Sequence, residues 1–297
     1  MNRRTVEALT LVTVTILAVA LSAGQVASQQ KPPDFSGFWG HTSLGFDPPL
    51  SSPGPVVNKS RRPTGESNFD RLVGDYTNPI LKPQAAEQVK RQGEISLSGV
   101  AFPDPDNQCR PSGVPYIFWN FLMQMLPEPH KITILYFQDH QVRHVRMNEP
   151  HPARVTPSWY GDSIGHYEGD TLVIDTVGIK VGPFSMVDRY GTPHTEALHL
   201  VERYRLVDYD VAKQAQERAE KENGRFPAFD VDPDYKGKGL QLEFTVEDEG
   251  VFTTPWSALI TYGRAVGEWP DYVCAENTRE YYAGKDTAVP RAETPDF

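Results

Sequence analysis

The sequence predicts a mainly β fold, an antiparallel meander of strands closing into a barrel, with one inserted helix near residues 210–223. Three observations carry this. From residue 131 onward, apolar and polar residues alternate in short runs. Tight turn signals separate the runs. Helix-forming residues without intervening breakers gather in one late stretch. A two-sheet sandwich is the other architecture this pattern allows. Closure is favoured because it removes the exposed edges that a β domain must otherwise protect.

The elements follow in order. Phe35-Ser-Gly-Phe-Trp39 starts a first strand. Residues 45–65, rich in Pro, Ser and Gly, form an irregular loop. A short helix is predicted from Pro83 to Gln92, with proline early and Ala, Glu, Gln and Lys behind it. Residues 102–115 carry four prolines and read as extended loop. Lys131–Phe137 and Gln141–Met147 are strands around a Gln138-Asp139-His140 turn. Tyr160–Tyr167 leads through Glu168-Gly169-Asp170 into Thr171–Thr176, and the glycine supplies the positive φ that a hairpin turn uses. Residues 197–207 form the next strand, and Asp210–Asn223 the inserted helix, ended by Gly224. Leu240–Val246 alternates cleanly, and Ser257–Gly263 is the last strand.

The N-terminus places Arg3 and Arg4 before an apolar stretch from Leu9 to Leu21, with small residues at Val26-Ala27-Ser28. That is the pattern of a cleavable signal peptide over residues 1–28. It predicts a periplasmic or secreted protein with no stable membrane insertion after cleavage. Residues 29–297 then form a single β-rich domain with an irregular N-terminal segment (29–130), an insertion (210–239) and a loose tail. The two cysteines, Cys109 and Cys274, make one possible disulfide in an oxidising compartment. The formal net charge of −10 disfavours nucleic acid and anionic membrane surfaces as partners. Phosphate-loop and dinucleotide fingerprints do not occur in the sequence, so no cofactor is implied.

Three stretches carry a resemblance. They are Asp34-Phe-Ser-Gly-Phe-Trp39; Gly165-His-Tyr-Glu-Gly-Asp-Thr-Leu-Val-Ile-Asp-Thr176 with Gly191–Leu198 and Glu202-Arg203; and Phe252–Trp256 with Cys274-Ala-Glu-Asn277. Together they resemble a large family of exported bacterial proteins with a Gly-x-Trp/Tyr-Glu-Gly-Asp-Thr-Leu-Val-Val/Ile-Asp-Thr motif. The resemblance implies export and one continuous domain, and brings no activity or catalytic residues with it. The chain departs from that pattern at Asn148-Glu149, where an Asp-Gly-Arg type turn is expected, and is longer around 211–239. Gly37-Phe38-Trp39 also resembles the Gly-x-Trp of lipocalin-type barrels, which implies a lipocalin-like barrel anchored by Trp39.

The strand 198–206 is the most informative for chemistry. By the period of two, Leu198, Leu200, Glu202, Tyr204 and Leu206 share one face, and His199, Arg203 and Arg205 the other. A carboxylate among inward leucines is costly unless paired or ligand-bound. Burial would tune Glu202 for acid–base work, with Tyr204 as a donor and His144 or His166 assisting. The competing reading is a structural ion pair with Arg143 or Arg146. Arg143, Arg146, Trp159, Tyr167 and His194 are the candidate ligand contacts. A Ser163/His166/Asp175 triad can be written, but nothing resembles a nucleophile elbow. His194 and His199 lack zinc-hydrolase spacing, so no metal site is expected.

Two kinds of function follow, with a third beside them. The first is cofactor-free acid–base chemistry (elimination, isomerisation or cyclisation) on a small, largely apolar molecule, aromatic or terpenoid-like, in the barrel. The second is a carrier with the same barrel and no chemistry. The third is a structural envelope protein with a filled interior. Geometry separates them: an open cavity holding an unsatisfied Glu202 favours the enzyme, and a filled interior rejects both interior readings.

Overall fold

Nine strands close into one barrel in the computed structural model. It describes residues 32–43, 45–49, 53–100, 103–119, 122–225, 231–267, 269 and 273–274. The expected leader and the tail after Tyr282 lie outside the described residues. The strands are β1 (Gly37–Gly40), β2 (Leu122–Pro127), β3 (Lys131–Tyr136), β4 (Gln141–Met147), β5 (Asp162–Glu168), β6 (Thr171–Val177), β7 (His199–Val207), β8 (Gly239–Glu247) and β9 (Trp256–Arg264). Each pairs with the next, and β9 closes on β1 through Trp39 opposite Arg264 and Gly40 opposite Gly263. Closure sets aside the sandwich.

The pairing is antiparallel except between β4 and β5, which run parallel. Residues 148–161 carry the chain from the end of β4 back to the level of its middle, where Ser163 stands beside Val145. The crossover begins at Asn148, whose φ of 59° is left-handed, a conformation that asparagine tolerates better than most residues. The Glu168-Gly169-Asp170 hairpin is as expected, with Gly169 at φ 63°.

Among the described residues, two α-helices stand outside the barrel. Helix α1 (Pro83–Leu97) begins at the expected proline and runs past Gln92, burying Ala85, Val89, Gly93 and Ser96. Helix α2 (Tyr209–Asn223) buries a stripe of Ala212, Ala215 and Ala219 and stops before Gly224 at φ 79°. Small alanines let it lie close on β8 and β9: an added Cβ on Gly239 would sit 2.4 Å from that of Ala212.

The interior is packed with side chains. Inward positions of β7, β8 and β9 are filled by Leu200, Glu202, Tyr204, Leu240, Leu242, Phe244, Val246, Trp256, Ile260 and Tyr262. Trp39, Met123, Met125, Ile132, Ile134, Tyr136 and Val145 fill the opposite wall. Gly165 is inward too, where a Cβ would come 2.8 Å from the Met147 sulfur. Alternating large and small inward residues close a small barrel.

The strand directions give the barrel two unlike ends. Strands β1, β3, β6 and β8 finish at the end where β2, β4, β5, β7 and β9 start. Connections 41–121, 178–198 and 248–255 all leave from and return to that end. It is therefore the elaborated mouth. A 3-10 turn, Tyr116–Trp119, plugs it: Phe118 meets Phe244 edge-on at 5.2 Å, and the Phe118 carbonyl accepts from Tyr262 Oη at 3.4 Å. Asp248 binds Thr195 through its backbone N at 2.6 Å and its Oγ1 at 2.8 Å, joining two of these connections.

Cys109 and Cys274 are bridged, with Cα atoms 5.4 Å apart. The bond pins the Pro-rich loop 103–115 to the C-terminal segment. Among the described residues, no helix is long and apolar enough to cross a membrane.

Candidate functional site

Inside the barrel, Glu202 and Arg143 meet at full burial. The guanidinium is bidentate: Nη1 donates to Glu202 Oε2 at 3.0 Å and Nη2 to Oε1 at 2.6 Å. Nη2 also donates to Thr176 Oγ1 at 2.7 Å and Nε to Ser163 Oγ at 3.1 Å. Tyr204 Oη donates to Glu202 Oε2 at 2.9 Å. Burial works against the Arg143 charge, but the Glu202 carboxylate outweighs it and holds the guanidinium above its ordinary pKa. Every charge here is satisfied, which is what a buried ion pair requires. The strand periodicity brings Glu202, Tyr204 and Arg143 together, as an ion pair and not as an open acid–base site.

The other expected site residues lie elsewhere. His144 and His166 point to the outer face, at Thr133 Oγ1 and Glu168 Oε1. Neither reaches Glu202, so the expected catalytic grouping is corrected: outward positions on β4 and β5 cannot enter the barrel. Arg146 is also outward, on Asp162 at 2.6 Å. Trp159 lies in the crossover with Lys180 Nζ 4.9 Å from its ring. Tyr167 is inward at the plain end, stacked on Phe35 at 6.3 Å, and burial raises its pKa. His194 is buried in 178–198, its Nδ1 3.1 Å from the Thr195 carbonyl, and burial lowers its pKa. The Ser163/His166/Asp175 triad does not assemble either: Ser163 is inward on Arg143, whereas His166 is exposed outside.

A second polar group sits at the mouth, and sequence reasoning missed it. It is built by the loop 103–112, the 3-10 turn and the connection 178–198. Asp104 Oδ1 accepts from Asn107 N at 2.7 Å, and Asp106 Oδ1 accepts from Ser112 Oγ at 2.8 Å. Arg189 lies over the Trp119 ring at 4.1 Å and the Phe69 ring at 5.2 Å. Tyr116 meets Trp119 edge-on at 5.8 Å. Burial, and then the charge of Asp104, push the Asp106 carboxyl up to about 7. Burial raises Asp104 as well, and lifts Asp188 to about 6. Burial and both carboxylates push Tyr116 well above the ordinary tyrosine range.

This group is not satisfied from within. Arg189 Nη1 and Gln92 Oε1 are enclosed and without a hydrogen-bond partner among the described residues, whereas Tyr116 is drawn to Asp104, Asp106 and Trp119, and Asp188 to Thr192. Unpartnered enclosed atoms are rare in folded proteins, and these two belong to connections at the mouth. A crevice of about 10 Å³, room for about one water, lies among Gly45, Phe46, Trp119, Asp188, Arg189 and Tyr190. Next to it, α1 and Pro103 line an open groove of about 420 Å³ that includes Gln88, Arg91 and Gln92. That volume is in the range of small-molecule sites. The sequence signal was Asp104-Pro-Asp106 in a loop tied by Cys109, two carboxylates a short step apart on a fixed backbone.

No family model matches this chain, and no curated protein or solved structure matches it either.

Proposed function

We propose that this protein is exported after loss of residues 1–28, belongs with the exported family it resembles, and binds a small molecule at the mouth of its barrel. The Asp104–Asp106 pair moves a proton on that molecule in a cofactor-free elimination or isomerisation. Arg189 orients an anionic or polar group, with Trp119 and Phe69 as the flat wall. The observation that carries this reading is the cluster of buried Asp104, Asp106 and Tyr116 beside Arg189, whose Nη1 is enclosed without a hydrogen-bond partner among the described residues. A pair of neighbouring carboxyls that cannot both ionise is a proton store near neutral pH. Interior binding of a largely apolar molecule loses its support because side chains fill the barrel. The α1 groove offers the amides of Gln84, Gln88 and Gln92 and the Arg91 guanidinium beside apolar surface, which suits a ligand with both polar and apolar parts.

The test is the side-chain carboxyl titration of the mature protein by carbon-detected NMR. An apparent midpoint near 7 is expected for Asp106. In Asp104→Asn it should move down but stay above the ordinary value of about 4, because burial is the larger cause. A midpoint below about 5 in the unaltered protein would remove the proton-transfer role.

A further inference from the structure

At the rim of the barrel, one buried amide uses every hydrogen bond it can make. Gln141 opens β4 on the inward side, two residues before Arg143. Its Oε1 accepts from Ser112 N at 2.8 Å and from the Tyr160 hydroxyl. Its Nε2 donates to the Gln138 carbonyl at 3.0 Å and to Ser112 Oγ at 3.2 Å. Two of these partners have fixed roles: a backbone N–H only donates and a carbonyl only accepts. They decide which end of the amide is oxygen. The turn that presents the Gln138 carbonyl holds two successive left-handed residues, Asp139 at φ 55° and His140 at φ 49°. Such backbone is costly outside glycine and collects at working sites.

Direction then passes along the bonds. Ser112 is buried, and its hydroxyl has one proton. Facing an amide N–H, it cannot donate toward Gln141, so that proton goes to Asp106 Oδ1 at 2.8 Å. In a carboxylic acid the carbonyl oxygen is the better acceptor and the other oxygen carries the proton. We propose that Gln141 is a positioning residue for Asp106: through Ser112 it makes Oδ1 the acceptor and so places the carboxyl proton on Oδ2. Oδ2 is enclosed. The charged and titratable groups that act on Asp106 are Asp104 of its own loop, Tyr116 of the 3-10 turn and Arg189 of 178–198. Tyr160 of the crossover is the titratable group on Gln141, with Tyr136, Asp139 and Arg143 near it. Burial raises the Tyr160 pKa, so it stays a donor. Asp104 Oδ1 accepts from Asn107 N at 2.7 Å, a bond that favours its ionised form, and the Asp104 charge in turn favours a proton on Asp106.

The loop that carries Asp106 is braced on both sides of this bond. The Asp106 carbonyl accepts from Cys109 N at 3.2 Å, and Cys109 is bridged to Cys274, whose N donates to Asp139 Oδ1 at 3.2 Å. Beside Ser112, a Cβ on Gly113 would lie 2.8 Å from the Trp159 carbonyl oxygen, so the backbone fits closely against the crossover. A carboxyl held in this way aims its O–H in one direction, which is what a proton donor needs. The use of that proton rests on the proposed function; its placement on Oδ2 does not.

Carboxyl titration of the mature chain by carbon-detected NMR tests this through two variants. Ser112→Ala removes a donor that favours the ionised form, so the Asp106 midpoint should rise by about one pH unit. Gln141→Met keeps the length of the side chain and loses both amide ends; it should raise the midpoint too, by less. In Ser112→Ala/Gln141→Met the second change should add nothing, because Gln141 acts through Ser112. Hydrogen exchange in β8 reports that each variant is folded. A midpoint that Gln141→Met leaves in place, or moves equally with and without Ser112, would overturn the positioning role. If Gln141→Met does not fold, Ser112→Ala decides alone, and an unmoved midpoint overturns it. A midpoint near 7 that neither variant moves ends the positioning and leaves the carboxyl pair. A midpoint below about 5 in the unaltered protein ends the proton transfer, and the same rises, read at lower pH, still decide the positioning.

Discussion

Glu202 illustrates how far a single residue can be read. Its inward position followed from the period of two, because Leu200, Glu202 and Tyr204 share a face of β7. Its partner was narrowed to two arginines, and register chose between them: Arg143 is inward on β4 and Arg146 outward. Glu202→Gln should therefore destabilise the protein by about 3–5 kcal/mol in urea unfolding, since it strands a buried guanidinium. Replacing both partners by apolar residues should recover most of that loss. A loss under about 1 kcal/mol for Glu202→Gln would mean that Arg143 finds other partners. Asp106 was not legible in the same way. Its significance comes from Arg189, far away in sequence, and from Tyr116 on the following turn, which meet it only when the loops converge.

At the scale of elements, alternation marked most of the strands but missed β2. Met123 and Met125 face inward, yet Leu122 on the other face is also buried, so Leu-Met-Gln-Met-Leu-Pro reads as an apolar run. Strands covered on both sides lose their alternation. The parallel step from β4 to β5 was hidden for another reason: 148–161 carries no helix to announce a crossover. The disulfide was legible from cysteine count and predicted export, and its place gives it a task. It closes a sequence separation of 165 residues, worth up to about 5 kcal/mol by chain entropy. Cys109→Ala/Cys274→Ala should lower the urea midpoint. It should also loosen exchange in loop 103–112 more than in β8. Equal loosening in both would show that the bridge does not locally brace the mouth.

The barrel is filled and its mouth is built by three connections, and the buried charges give the molecule a pH signature. Asp106 and Asp47 are raised to about 7 and Asp188 to about 6, each chiefly by burial. Each holds its proton longer folded than unfolded. Their stabilisation is full below the ordinary aspartate value and drains as pH climbs through the folded values. His199 adds loss above its own raised value. Asp162 and Asp175 are lowered despite burial, through their hydrogen bonds with Arg146 and His199, and act at the acid limit. The urea midpoint should therefore be higher near pH 5 than near pH 8, and Asp47→Asn should flatten that slope. A midpoint that rises across this range would contradict the burial of these carboxyls. The central claim, that ligands meet this protein at the mouth and not inside the barrel, can be read from its methionines. Met123, Met125 and Met147 line the interior, and Met186 sits two residues before Asp188 at the mouth. With methionine methyl groups carbon-labelled in the mature chain and a library of small polar fragments added, binding should shift Met186 and leave the three interior methyls in place. Shifts at Met123, Met125 and Met147 with Met186 unmoved would put the site back inside the barrel.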